Sequence, residues 1–116
     1  MSILTKNLFI IDETLARDQI VECCHRMHDR GLISGGEGNV SIRLQHMRIL
    51  VTPSGVNKGF LRPSDLIVVD DSGSLVEGSS MPSSELKVHL AAYSVRPDCR
   101  AVVHAHVNAE RLSPCD

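Results

Sequence analysis

Residues 82–106 read PSSELKVHLAAYSVRPDCRAVVHAH, a serine-led apolar helix followed at once by a strand, and this unit sets the fold class. Pro82-Ser83-Ser84-Glu85 starts the helix, with serine oxygens to cap its first backbone N–H groups and a carboxylate in the first turn, where the helix dipole favours negative charge. Leu86, Val88, Leu90, Ala91, Ala92 and Tyr93 make the helix apolar nearly all round. That predicts a helix packed on a sheet and running to about Val95, with Pro97 ending it. A strand from Arg100 to His106 follows directly.

Working outward, the amino-terminal part supplies the other layers. Asp12 is an N-cap, and Ala16, Ile20, Cys23, Cys24 and Met27 recur at helical spacing until Gly31 offers a left-handed stop. Ser34-Gly35-Gly36-Glu37-Gly38-Asn39 is too rich in glycine for regular structure and lets backbone come close to a ligand. Val40, Ile42 and Leu44 alternate with Ser41 and Arg43, the period of a half-buried strand, and Arg48 to Thr52 is its hairpin partner. Pro53 ends that pairing and Ser54-Gly55 opens a loop. Arg62-Pro63-Ser64-Asp65 turns the chain into the strand Leu66-Ile67-Val68-Val69, and Asp71-Ser72-Gly73 returns it into a short following strand. Two helices and antiparallel hairpins predict an α/β sandwich on a largely antiparallel sheet.

Composition agrees with a single folded unit spanning 1–116. The chain is 42% hydrophobic and 22% charged, the balance of a domain that buries a core. It has no tryptophan, one tyrosine and two phenylalanines, so the core must be aliphatic and only modestly stable, and association would help it. A net charge of −2 with scattered lysines and arginines gives no footprint for a polyanion, which argues against nucleic acid. No apolar run reaches the ~20 residues of a membrane span and no secretory layout opens the chain, so the expectation is a cytoplasmic protein without a membrane partner. The four cysteines form no C-x-x-C pair and read as free thiols.

The chemistry gathers at the end of the last strand. On a strand, residues two apart share a face, so His104 and His106 stand side by side, spaced as two imidazoles sharing one metal ion must be. Alone, the pair reads equally as two histidines on a solvent-facing edge. Glu85 begins the helix that leads into this strand, and the connection brings the strand's end back toward it. Two nitrogens, a carboxylate and an open position make zinc a Lewis acid rather than a brace, although a first-turn carboxylate is also at home in solvent. Gly36 to Asn39, Thr52 to Gly55 and Ser83-Ser84 each combine backbone N–H groups with a hydroxyl or amide, the kind of cradle that takes a phosphate, and each is also ordinary turn or cap chemistry.

Five blocks, in order, resemble the class II aldolase/adducin family: Gly31 to Ser41, Val51-Thr52-Pro53-Ser54-Gly55, Pro82-Ser83-Ser84-Glu85, Arg96-Pro97-Asp98, and Val102-Val103-His104-Ala105-His106. The motif-bearing region is thus 31–106. The resemblance implies an α/β/α sandwich around a largely antiparallel sheet and zinc (Zn2+) held by His104, His106 and Glu85 with a third histidine further on. It implies that Glu85 is also the acid/base, and that Gly38, Asn39, Ser54, Gly55, Ser83 and Ser84 hold the phosphate of a phosphorylated sugar. The implied reaction is retro-aldol cleavage of a phosphorylated ketose to dihydroxyacetone phosphate and an aldehyde, in a homotetramer with sites at subunit interfaces. A 4-epimerase, a sugar-acid phosphate decarboxylase and a non-catalytic adducin-like interaction domain are the alternatives within the family. A Schiff-base aldolase would need a buried lysine of lowered pKa, and none of Lys6, Lys58 and Lys87 sits in a motif that argues for one.

The pattern departs from the family after the H-x-H pair, where Val107 stands in place of the usual proline and the closing Glu110 to Asp116 does not continue it. The expectation is therefore a truncated domain without the third histidine, with exposed strand edges that favour self-association and with little or no aldolase activity on its own.

Overall fold

The computed structural model describes residues 12–33 and 38–105. Ser34 to Glu37 of the glycine-rich loop, and His106, lie outside the described residues. Helix α1 (Glu13–Asp29) begins where the Asp12 carboxylate accepts from the backbone N–H groups of Thr14 and Leu15, at 2.8 and 3.4 Å. This satisfies two of the donors that a helix start leaves unpaired. Ala16, Ile20 and Cys24 on one face are fully buried, and Gly31 leaves the helix at a φ of 70°, as its position in the sequence predicts.

Strands β1 (Asn39–Arg43) and β2 (Arg48–Val51) form the expected hairpin, with Ser41 opposite Val51 and Arg43 opposite Ile49. A short 3-10 turn at Pro63–Asp65 leads into β3 (Ile67–Asp70). The Asp70 carboxylate then accepts from the backbone N–H groups of Ser72 and Ser74 and turns the chain into β4 (Leu75–Glu77). Helix α2 (Leu86–Val95) carries the chain across the sheet so that β5 (Ala101–His104) returns beside β1 rather than beside β4. The sheet order is β4-β3-β2-β1-β5 and every described pairing is antiparallel.

Two cores hold the layers together. Ala16, Ile20 and Cys24 of α1 pack with Val40, Leu50, Leu66 and Val68 on one face of the sheet. Leu86 and Tyr93 of α2 pack with Ile49, Val51, Ile67 and Val69 on the other. Neighbouring residues of β2 and β3 point to opposite helices, which is the strand period of two at work. The molecule is thus the expected α/β/α sandwich.

Two expectations need correction. The alternation in β1 predicts a half-buried strand, yet Asn39, Val40 and Ser41 are all buried, because α2 covers the face on which the polar residues lie. Helix α2 is also less evenly buried than its composition predicts: Leu86, His89 and Tyr93 face the sheet, while Val95 is 75% exposed. A helix lying on one sheet has only one face to bury.

Candidate active site

Glu85 and His104 meet where the two ends of the α2–β5 unit come together. Glu85 immediately precedes α2, and β5, running back antiparallel to β1, ends at His104. Arg43 holds the far end of the unit, donating to the carbonyl oxygens of Tyr93 and Pro97 at 2.5 and 2.8 Å. Its guanidinium also lies 4.7 Å from the centre of the Tyr93 ring. The result at the near end is a separation of 3.3 Å between His104 Nδ1 and Glu85 Oε2. His106, expected to complete the set, lies outside the described residues, and among those described no group of three histidine, cysteine, aspartate or glutamate side chains could hold a metal ion. As far as the donor set extends it fits zinc. An imidazole nitrogen and a carboxylate oxygen, both zinc ligands by type, are already in contact at the ends of two pinned elements.

Of the residues assigned to the phosphate, Asn39 and Ser83 are stitched to this pair. Asn39 is the residue of β1 directly opposite His104. Its amide nitrogen donates to Ser83 Oγ at 3.3 Å, and its amide oxygen accepts from Thr52 Oγ1 at 3.2 Å. Thr52 Oγ1 in turn accepts from the backbone N–H of Val40, and Ser83 Oγ from that of Glu85 at 3.1 Å. Gly38 adopts a φ of +81°, and a Cβ there would lie 3.0 Å from Ile33 Cγ2 and 3.4 Å from the His104 carbonyl oxygen, so only glycine fits. Loops 38–39, 52–55 and 82–85 therefore converge on the start of α2, and Pro53 bridges to Pro82.

Not every part of the expected cradle is open to a ligand. The Ser54 backbone N–H donates to the Met81 carbonyl at 3.0 Å, so it serves the loop pairing rather than standing free as the sequence reading supposes. Ser54, Gly55 and Ser84 are exposed beside the stitched residues, and none of the three has a described bond to Gly38, Asn39 or Ser83. Gly55 has a φ of +78° but open space around its α-carbon, so its need is conformational only.

The sequence reading missed several buried polar groups. His89 and Ser41 are completely buried and Tyr93 nearly so. Ser41 Oγ lies 2.6 Å from His89 Nδ1 and 2.7 Å from Tyr93 Oη. Burial, and after it the neighbouring His104, push His89 down from 6.5 to about 4, while Glu85 pulls the other way. Burial pushes Tyr93 up to about 12, against the Ser41 hydrogen bond. The available signal was spacing: His89 stands four residues after Glu85, on the same helix face. Thr52, read as a strand end and as the first residue of the Thr52 to Gly55 cradle, is the strut between β1 and the Asn39 amide.

Lys58 is the other surprise. It is 1% exposed, its Nζ donates to the Pro53 carbonyl at 3.4 Å, and burial lowers its pKa, with Cys24 opposing. It has the burial that a Schiff-base lysine needs, but it is packed inside beside Cys24, whose thiol burial pushes up to about 12. Cys23, Cys24 and Cys99 are free thiols, as expected. No described helix is long and apolar enough to cross a membrane.

Comparison with known proteins is in keeping with this geometry. Residues 18–111 match the Class II Aldolase and Adducin N-terminal domain. The chain is 46% identical over 92 residues to L-fuculose phosphate aldolase of Escherichia coli, covering 79% of this chain and 41% of that protein. It is 41% identical over 90 residues to 3-oxo-tetronate 4-phosphate decarboxylase of Haemophilus influenzae, covering 78% and 42%. Among solved structures, YgbL from Klebsiella pneumoniae superposes with a TM-score of 0.79 at 34% identity, covering 84% of this chain and 47% of that one. The chain thus spans less than half the length of these relatives. It belongs to the class II aldolase and adducin family, matching its N-terminal domain.

Proposed function

We propose that the chain carries the metal- and phosphate-binding half of a zinc-dependent aldolase-type lyase that cleaves a phosphorylated ketose to dihydroxyacetone phosphate and an aldehyde. The observation that carries this reading is the 3.3 Å contact between Glu85 and His104, joined through Asn39 and Ser83 to the three converging loops. Glu85, His104 and His106 hold the ion. Bound there, zinc supplies a Lewis acid that polarises a carbonyl. Gly38, Asn39, Ser54, Gly55, Ser83 and Ser84 orient the phosphate end, and Glu85 moves the proton through a carboxylate oxygen. Complete sites assemble in a homo-oligomer, a tetramer by the family resemblance.

A second reading, decarboxylation of a sugar-acid phosphate, is favoured by the 41% identity to the Haemophilus influenzae decarboxylase. It uses the same ion and phosphate cradle and differs in the bond broken.

Binding of dihydroxyacetone phosphate to the purified chain, followed by calorimetry with and without zinc, tests the common part. Zinc-dependent binding that is weakened in Ser83→Ala is expected. Binding that ignores both zinc and the substitution would remove the assignment.

A further inference from the structure

His89 has no role in the reading above, yet it is the most confined titratable group beside the Glu85–His104 pair. Its Nδ1 is held 2.6 Å from Ser41 Oγ, and Ser41 is held in turn by Tyr93. Its Nε2 is buried and has no hydrogen-bond partner among the described residues. Burying a polar nitrogen without a partner is destabilising, and such an orphan calls for an explanation. The ring sits edge-on to that of His104, with centroids 6.4 Å apart and planes at 65°.

We propose that His89 is a positioning residue for Glu85: the Ser41–Tyr93 pair fixes its ring, and its Nε2–H orients the Glu85 carboxylate when that carboxylate turns to hold a cation beside His104. The proposal rests on the metal reading of Glu85 and His104. Three observations carry it. Glu85 and His89 are four residues apart, and helical side chains lean back over the preceding turn, so the imidazole lies toward Glu85. The Ser41 contacts also allow the proton that this role needs. Either direction of donation satisfies their distances; the role requires the one in which Tyr93 O–H donates to Ser41 Oγ and Ser41 O–H donates to Nδ1, which leaves the one proton of the neutral ring on Nε2. Finally, carboxylates that ligate metals are themselves held by hydrogen bonds from behind, and His89 Nε2 is a buried nitrogen with no hydrogen-bond partner among the described residues.

The test is zinc affinity, measured on the whole chain by competition with a chelating indicator. His89→Asn keeps an amide within reach of Ser41 but not of Glu85, and is expected to weaken zinc binding about 10- to 100-fold. His89→Gln, whose amide reaches one bond further, is expected to recover most of it. In the ¹⁵N-labelled parent, the His89 Nε2 proton resonance is expected to move downfield on zinc addition, an arm that requires no variant to fold. If Glu85→Gln loses zinc while His89→Asn binds as tightly as the parent, the proposal fails and the metal reading stands. Equal losses in both His89 variants with an unmoved resonance mean that His89 only fills space, which also overturns it. A parent that binds no zinc removes the metal reading and the proposal with it.

Discussion

The two faces of the sheet are built differently. On the α1 face, Ala16, Ile20, Cys24, Leu50 and Val68 form an aliphatic core whose polar intruder is Lys58 beside Cys24. On the α2 face, aliphatic residues of comparable burial surround a hydrogen-bonded cluster of Ser41, His89 and Tyr93, and the chemically suggestive pair lies at its end. Apolar packing is non-directional and contributes most of the stability, whereas a buried polar network fixes orientation and is costly when left incomplete. The contrast assigns stability chiefly to the apolar packing, which is all that the α1 face offers apart from Lys58, and orientation to the polar cluster that the α2 face adds.

The largest effect should come from the apolar face. Leu50→Ala, fully buried against α1, is expected to cost about 2–5 kcal/mol in urea unfolding with an unchanged slope. A loss no greater than that of the exposed Lys87→Ala would contradict the assignment.

The polar face should show itself through pH. His89 is held neutral with a folded value of about 4 against an ordinary 6.5, so between these values the unfolded chain binds a proton that the folded chain does not. Stability therefore falls as pH drops from about 6.5 to about 4, levels off below that, and is indifferent to this group above it, a loss on the order of 3 kcal/mol at most. His89→Asn should flatten this slope, and an unchanged slope would mean that other groups set it.

A smaller effect is expected for Ser41→Ala, which strands the His89 and Tyr93 partners at a cost of about 1–2 kcal/mol. Unfolding compared with the exposed Ser94→Ala measures it, and equal stabilities would deny the network any energetic role.

Legibility in the sequence followed the same division. The N-cap at Asp12, the β1–β2 hairpin and the return of β5 were readable because each is written in local signals: a capping residue, alternation, a proline stop. The meeting of Glu85 with His104 was readable because one helix–strand unit contains both. Burial of Ser41 and His89 was not, since it depends on α2 covering β1, a contact between residues 48 apart that no local pattern records. Lys58 failed for the same reason, as its burial comes from packing against α1. The H-x-H spacing singled out His106, and its place relative to Glu85 lies outside the described residues.

The central claim is that Glu85, His104 and His106 form a zinc-holding set, and zinc content tests it most directly. Measured on the purified, size-fractionated chain, the account predicts about one zinc per chain, lost in His104→Ala while the fold is retained. A folded chain that takes up no zinc, or one whose zinc survives the substitution, would contradict it.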